Sequence, residues 1–390
     1  MTDKNFDRAW AEIKLDNLAH NVKEIKNLIN KDTIIMAVIK ANGYGHGVEN
    51  LIDVLLENGV QRLAVATIEE AIQIRRMGYN VPMQILSYTS PNRAEEIVDY
   101  NLIQTIYNVE LAEKLSEVAM KRNVIIKIHI KLNTGMNRVG FSSEEKDIKD
   151  ICKISLLPKV EIEGIMTHFT ASDQLDGSYV NYQFNNFLEV YGRLKQAGVS
   201  IPIRHVSNSA AIALYPNMNL ELVRPGIILY GLYPSCEIDS SNINLKPVMS
   251  LKARIINVFQ IPENSYISYG MKFKTNRKSC IAVIPVGYAD GYPRGLSNKG
   301  RVLVRGKYVP VVGTVCMDHF MVDVTDIEGE ILVGEETVLF GQQGNCEISV
   351  DEIARMLDTI SYEIVCKIGA RIPRVCMNNG KSVNIKQIID

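Results

Sequence analysis

No run of apolar residues in the chain approaches the roughly 20 needed to cross a bilayer as a helix, and residues 1–7 lack the apolar core of a secretory signal. A cytoplasmic protein is the expectation. Excess charge of one sign is also missing: 43 Lys and Arg stand against 44 Asp and Glu, a net charge of -1, mixed along the sequence. That balance argues against a nucleic-acid surface and against a polybasic membrane patch. The six histidines form no His-Glu-x-x-His and the seven cysteines no Cys-x-x-Cys, so neither a catalytic metal nor a structural zinc is expected. An odd cysteine count argues against a disulfide framework, and positions 152, 236, 280, 316, 346, 366 and 376 read as reduced and mostly buried. Internal repeats and low-complexity segments are absent.

What the chain does have is alternation. Strand-like runs at 34–39, 62–67, 83–88, 104–107, 124–133, 162–169, 204–207 and 220–232 alternate with amphipathic segments whose apolar residues return at helical spacing. Eight β-α units in this length favour a closed parallel (β/α)8 TIM barrel over an open sheet. Past Pro247 the rhythm changes to short strands at 251–259, 280–286, 301–304, 309–315, 321–324 and 337–340, with Gly, Asn and Pro turns and one helix over 350–357. The expected organisation is α/β: a barrel over 1–244, then a mainly β domain over 245–390, with the polar stretch 235–244 as boundary. The strand at 8–14 is able to pair with either domain.

Chemistry concentrates first at the end of the first barrel run, Ile34-Ile35-Met36-Ala37-Val38-Ile39-Lys40-Ala41-Asn42-Gly43-Tyr44-Gly45-His46-Gly47. Burying an ammonium after six apolar residues is costly, so Lys40 needs a lowered pKa, a partner, or covalent use as an imine. The plainer reading is a lysine snorkelling to solvent. Three alternate glycines permit a tight turn before a helix at 48–56, but their spacing is not the Gly-x-Gly-x-x-Gly of a dinucleotide loop. A lysine imine beside an anion-binding turn is what pyridoxal 5'-phosphate requires, and it accounts for Lys40 and Tyr44 together.

This run resembles the lysine-bearing stretch of the alanine racemases, a pyridoxal-phosphate family, and the resemblance extends along nearly the whole chain. Barrel enzymes gather function at the C-terminal ends of their strands. There stand Lys131 and Arg138, two cations suited to an anionic substrate, in Lys131-Leu132-Asn133-Thr134-Gly135-Met136-Asn137-Arg138. The family pattern resembled is Lys-x-Asp-Thr-Gly-Met-x-Arg, with a lysine that is often carbamylated; Asn133 replaces the acidic residue here. His168 ends the sixth run and matches the family's histidine that orients a catalytic tyrosine. Asn208 and Ser209 open a helix, where a side-chain cap and a phosphate site are both compatible with the residues. Arg224 lies in Leu222-Val223-Arg224-Pro225-Gly226-Ile227; a structural ion pair is one reading, and the family places this arginine against the cofactor's pyridine nitrogen. Gly226 and Ile227 would then add backbone donors to the phosphate.

From the second domain the resemblance implies that Tyr269, in Ile267-Ser268-Tyr269-Gly270, is a second catalytic base reaching the active site of the other subunit. A phenol ordinarily ionises near about 10, so cationic neighbours such as Arg138 have to favour its ionised form. Tyr288, Cys316, Met317 and Asp318 match two further motifs that line the substrate site and its entrance, and Tyr362 matches a tyrosine that touches the phosphate and narrows the pocket. The implied function is a homodimeric pyridoxal-phosphate-dependent racemase interconverting L- and D-alanine for wall synthesis, with Lys40 on one face of Cα and Tyr269 on the other. A serine or broad-specificity racemase shares these features. A decarboxylase of similar build would present an acid where Arg224 stands, and a non-catalytic cofactor carrier would be a barrel alone.

Overall fold

A strand with no polar alternation has no face to give to water, so it assembles where helices cover one side and a packed interior the other. In the computed structural model, which describes residues 8–235 and 237–386, the apolar runs do this. Residues 1–7, Cys236 and residues 387–390 lie outside the described residues, and with them the segment read for a secretory signal and the ends of both expected domains. After β1 (Ala9–Lys14) come eight parallel strands: β2 (Ile34–Val38), β3 (Arg62–Val65), β4 (Met83–Ile85), β5 (Ile103–Ile106), β6 (Ile126–Lys131), β7 (Val160–Met166), β8 (Ile203–His205) and β9 (Leu222–Val223). They pair in the order β8-β7-β6-β5-β4-β3-β2-β9. The ring is drawn together between β8 and β9 by the Arg224 amide donating to the Ser207 carbonyl (3.1 Å) and the Arg204 amide donating to the Glu221 carboxylate (2.9 Å). The α/β expectation is met as a near-barrel.

One strand is much shorter than its sequence suggests. The run 220–232 is extended only over β9, because Pro225 brings no N–H to a ladder, and the chain continues as a 3-10 turn, Ile227–Tyr230. Arg224 therefore stands just past a strand end and not within a strand.

The first described strand does not join the barrel. β1 pairs antiparallel with Met249–Arg254 and parallel with Arg374–Asn378, placing it inside an 11-stranded sheet built from the second half of the chain. The run 251–259 is two strands, Met249–Arg254 and Asn257–Ile261, which pair with different neighbours. A second helix, Ser361–Cys366, follows Val350–Met356; six residues are too few for a periodic signature. One apolar cluster running from Ala9 to Cys376 packs both halves together. The cysteines are less hidden than expected: of the described six, none in a disulfide, only Cys376 is buried, while Cys366 is exposed where its helix borders a cavity. Among the described residues no helix is long and apolar enough to cross a membrane.

Candidate active site

Lys40 begins a turn that the three glycines do not make alone. Ala41, Asn42, Gly43 and Tyr44 all take left-handed φ values of 53, 53, 61 and 52°. A left-handed L-residue costs roughly 1–2 kcal/mol, so the turn needs outside support. Glu70 supplies some of it, its carboxylate accepting from the amides of Ala41 (2.6 Å) and Ala66 (2.7 Å). The Asn42 side chain accepts from the Val48 amide (2.8 Å). Arg374, buried from the second domain's sheet, donates twice to the Gly45 carbonyl (3.0 and 2.8 Å) and also to the carbonyls of Ile368, Gly369 and Ile372. Gly45 has no room for a side chain: a methyl there would lie 2.1 Å from the Val365 carbonyl oxygen. The expected helix at 48–56 starts as a 3-10 turn, Val48–Asn50, and becomes α-helical over Ile52–Glu57.

Lys40 opens onto a cavity of about 860 Å³ at the C-terminal strand ends, whose wall also holds Tyr44, Lys131, Arg138, His168 and Arg224. Burial, then the charge of Arg138, holds the Lys40 amine below its ordinary range. Lys131 is pushed down further by burial and by Arg224 and Arg138, and burial with Arg224 keeps the His168 imidazole neutral. Arg224 is fully engaged on one side. Its Nη1 donates to the His205 carbonyl and to His205 Nδ1 (2.8 Å each), and its Nη2 to the carbonyls of Thr167 (2.7 Å) and Val206 (3.0 Å). Burial draws its pKa down to about 9, so the guanidinium stays charged at neutral pH.

Part of the lining is a cradle of small and hydroxylic groups. Asn208, not Ser209, is the helix cap, accepting from the Ala211 amide (3.0 Å). Ser209 Oγ instead accepts from the Gly226 amide (2.8 Å), which leaves the serine O–H free to donate into the cavity. The Gly226 N–H expected as a free donor is thus already given away, and Ile227 is fully buried and does not line the cavity. A methyl at Gly226 would sit 2.7 Å from Tyr44 Oη. Tyr362, on the helix that the sequence did not announce, closes this side with its ring centroid 6.1 Å from that of Tyr44. Asn133 serves the Arg138 loop as an acceptor for the amides of Gly135 (3.3 Å) and Asn137 (2.9 Å).

Tyr269, Tyr288, Cys316, Met317 and Asp318 do not line this cavity. They form a second group on the β domain: Thr314 donates to the Tyr269 carbonyl (2.9 Å), the Tyr288 amide to the Cys316 carbonyl (3.1 Å), and the Ala289 amide to the Met317 carbonyl (3.0 Å). Tyr269 is 72% exposed and Met317 52%. Asp318 is held by Arg371 (2.6 Å), whose hydrogen bond lowers the carboxyl's pKa.

Residues 13–234 match the family described as alanine racemase, N-terminal domain, and residues 248–376 match alanine racemase, C-terminal domain. The chain belongs to the alanine racemase family. An alanine racemase of Clostridium novyi (strain NT) is 46% identical over 386 residues, 99% of this chain and 100% of the relative. The solved alanine racemase of Clostridium difficile 630 superposes with a TM-score of 0.95 at 40% identity, covering 98% of this chain and 99% of that one. An alanine racemase structure from Bartonella henselae, with covalently bound pyridoxal phosphate, matches at a TM-score of 0.84 and 28% identity over 95% and 99% of the two chains. As an alanine racemase, the chain is an amino-acid isomerase. Sequence reasoning about this racemase missed Glu70, Arg374, His205, His129 and Glu163, which hold the cavity residues from behind. Only the alternation of His129 and Lys131 within a strand buried on both faces hinted at a polar layer inside.

Proposed function

We propose that the chain is a homodimeric, pyridoxal-phosphate-dependent racemase that interconverts L- and D-alanine in the cytoplasm for wall synthesis. The carrying observation is that Lys40, Arg138, His168 and Arg224 line one cavity together with the Tyr44, Ser209 and Gly226 cradle. The cradle fits a phosphate: it offers the hydroxyls of Tyr44 and Ser209, and the bare backbone at Gly226 lets the Tyr44 hydroxyl come in close. When bound, the cofactor would act as an electron sink that weakens the Cα–H bond of an attached amino acid. Lys40, with its amine already biased toward the neutral form, would hold it covalently and exchange the Cα proton on one face.

Inversion needs a second group on the opposite face. Tyr269 of the partner subunit is assigned that part, which its exposure and its distance in sequence from the barrel residues support. From L-alanine the tyrosine would take the proton and Lys40 return one; from D-alanine the roles reverse. Arg138 would grip the substrate carboxylate. Arg224, whose guanidinium only donates, would face the ring nitrogen and leave it unprotonated, which would make the cofactor a weaker electron sink and favour proton return over transamination. A guanidinium here also disfavours the decarboxylase alternative. The lowered pKa of Lys131 supplies the neutral amine that carbamylation needs, and the product would turn a cation beside Arg138 into its partner. Tyr362 on this chain, with Tyr288 and Met317 of the partner subunit, would narrow the pocket toward small side chains.

In the test, the wild-type protein and Lys40→Ala are each purified with the cofactor and assayed for D-product from a panel of L-amino acids. Turnover should fall at least about 1,000-fold, with the cofactor's visible absorbance displaced. Full retention of racemisation would overturn the proposal, and a preference for serine would redirect it.

A further inference from the structure

Behind Arg224 a line of side chains runs through the barrel core. His205 Nε2 lies 2.7 Å from His129 Nδ1, and His129 Nε2 lies 3.1 Å from Glu163 Oε2. Glu163 is anchored in turn by Arg62 and by Lys127 (2.8 Å). Both imidazoles are fully buried. The backbone has been shaped for this line: the pairing of β6 with β7 slips between Ile128 and His129, and Gly164 lies directly under the ring, where a methyl would come within 2.6 Å of His129 Nδ1.

We propose that Glu163, His129 and His205 are positioning residues for Arg224, forming a one-way hydrogen-bond line that locks both imidazoles as Nε2–H tautomers. The direction follows from the two ends. A guanidinium has no acceptor, so His205 Nδ1 has to accept from Arg224 and its proton has to sit on Nε2. That Nε2–H donates to His129 Nδ1, which places the second proton on His129 Nε2. There it meets Glu163, an ionised carboxylate that can only accept. Burial works to raise the Glu163 pKa, but hydrogen bonds from His129, Arg62 and Lys127 outweigh it and hold the carboxyl well below its usual range.

Reversing one tautomer would set two N–H groups head to head at some link. Reversal at His205 would push the guanidinium off its seat. The Nη atoms of Arg224 are held by His205 and by the carbonyls of Thr167 and Val206, with Nη2 also 3.5 Å from His168 Nδ1, so the line joins these carbonyls in setting the guanidinium's orientation at the cavity. The charged groups facing the line are Arg62 and Lys127 at the Glu163 end and Arg224 and Lys131 at the His205 end. The inference rests on the proposed cofactor placement only in its last link, from Arg224 into the cavity.

The test is nitrogen NMR of 15N-histidine-labelled protein, with and without pyridoxal phosphate, resonances being assigned through His129→Gln and His205→Gln variants. Residues 129 and 205 should both show an unprotonated Nδ1 and a protonated Nε2 from about pH 6 to about pH 9. A protonated Nδ1 on either ring in the wild-type protein overturns the proposal. Glu163→Gln, which can donate as well as accept, should admit the Nδ1–H form at one or both rings and lower kcat about tenfold with KM for alanine changed less than about twofold. Glu163→Asp, retaining the charge, should restore the wild-type tautomers. Unchanged tautomers and kcat in Glu163→Gln also overturn it. Because the tautomers are read in the cofactor-free protein as well, a wrong cofactor assignment leaves this result intact.

Discussion

Three histidines, His46, His129 and His205, are wholly inaccessible to solvent, and burial holds each below the ordinary imidazole range, His46 at about 4. A group whose folded pKa is depressed binds its proton preferentially in the unfolded chain. Stability is then complete above the unfolded pKa of about 6.5 and is lost as pH falls through it. Urea unfolding followed from pH 7.5 to 5 should show the unfolding free energy dropping below about pH 6.5, by up to about 1.4 kcal/mol per pH unit for each of the three. A flat profile across that window would mean that these rings are protonated in the fold. Lys40 was legible at this scale because one cation after six apolar residues demands an explanation. His129 and His205 were not, since their meaning depends on meeting across strands 76 residues apart in sequence.

Among the elements, the Ile68–Arg76 helix contributes more to the site than its amphipathic pattern announces. Its Glu70 completes a capping box with Thr67 and extends the same carboxylate to Ala41, so a helix start and the Lys40 turn share one acceptor. Glu70→Ala should cost about 2–3 kcal/mol in denaturant unfolding and weaken cofactor retention in equilibrium dialysis, with Glu70→Gln retaining most of both. Equal retention in the alanine variant would show that the left-handed turn holds itself. The β-α alternation was readable because continuous apolar strands and amphipathic helices leave different periodicities. The left-handed turn was not: Ala41, Asn42 and Tyr44 carry no local preference strong enough to predict it, and hydrogen bonds from Glu70 and Arg374, distant in sequence, support it. β9 was overread because the apolar residues after Pro225 belong to a buried 3-10 turn, which has the same composition as a strand.

At the scale of the whole molecule, the candidate residues of the cavity other than Tyr362 lie on the barrel, whereas Tyr269, Tyr288 and Met317 are exposed on the β domain. The proposed sharing of sites across a two-fold dimer would reconcile these facts and gives a quantitative check. Mixing equal amounts of Lys40→Ala and Tyr269→Phe subunits through denaturation and refolding should restore about a quarter of wild-type activity, half the dimers being hybrid with one intact site in two. Each variant refolded alone should remain inactive, and no recovery in the mixture would assign both residues to one subunit. The domain linkage itself has a temporal meaning. Arg374, which seats the Lys40 turn through the Gly45 carbonyl, comes 329 residues after it in the chain. A ribosome has released nearly the entire polypeptide before that guanidinium exists, so no nascent fragment carries a finished reaction centre.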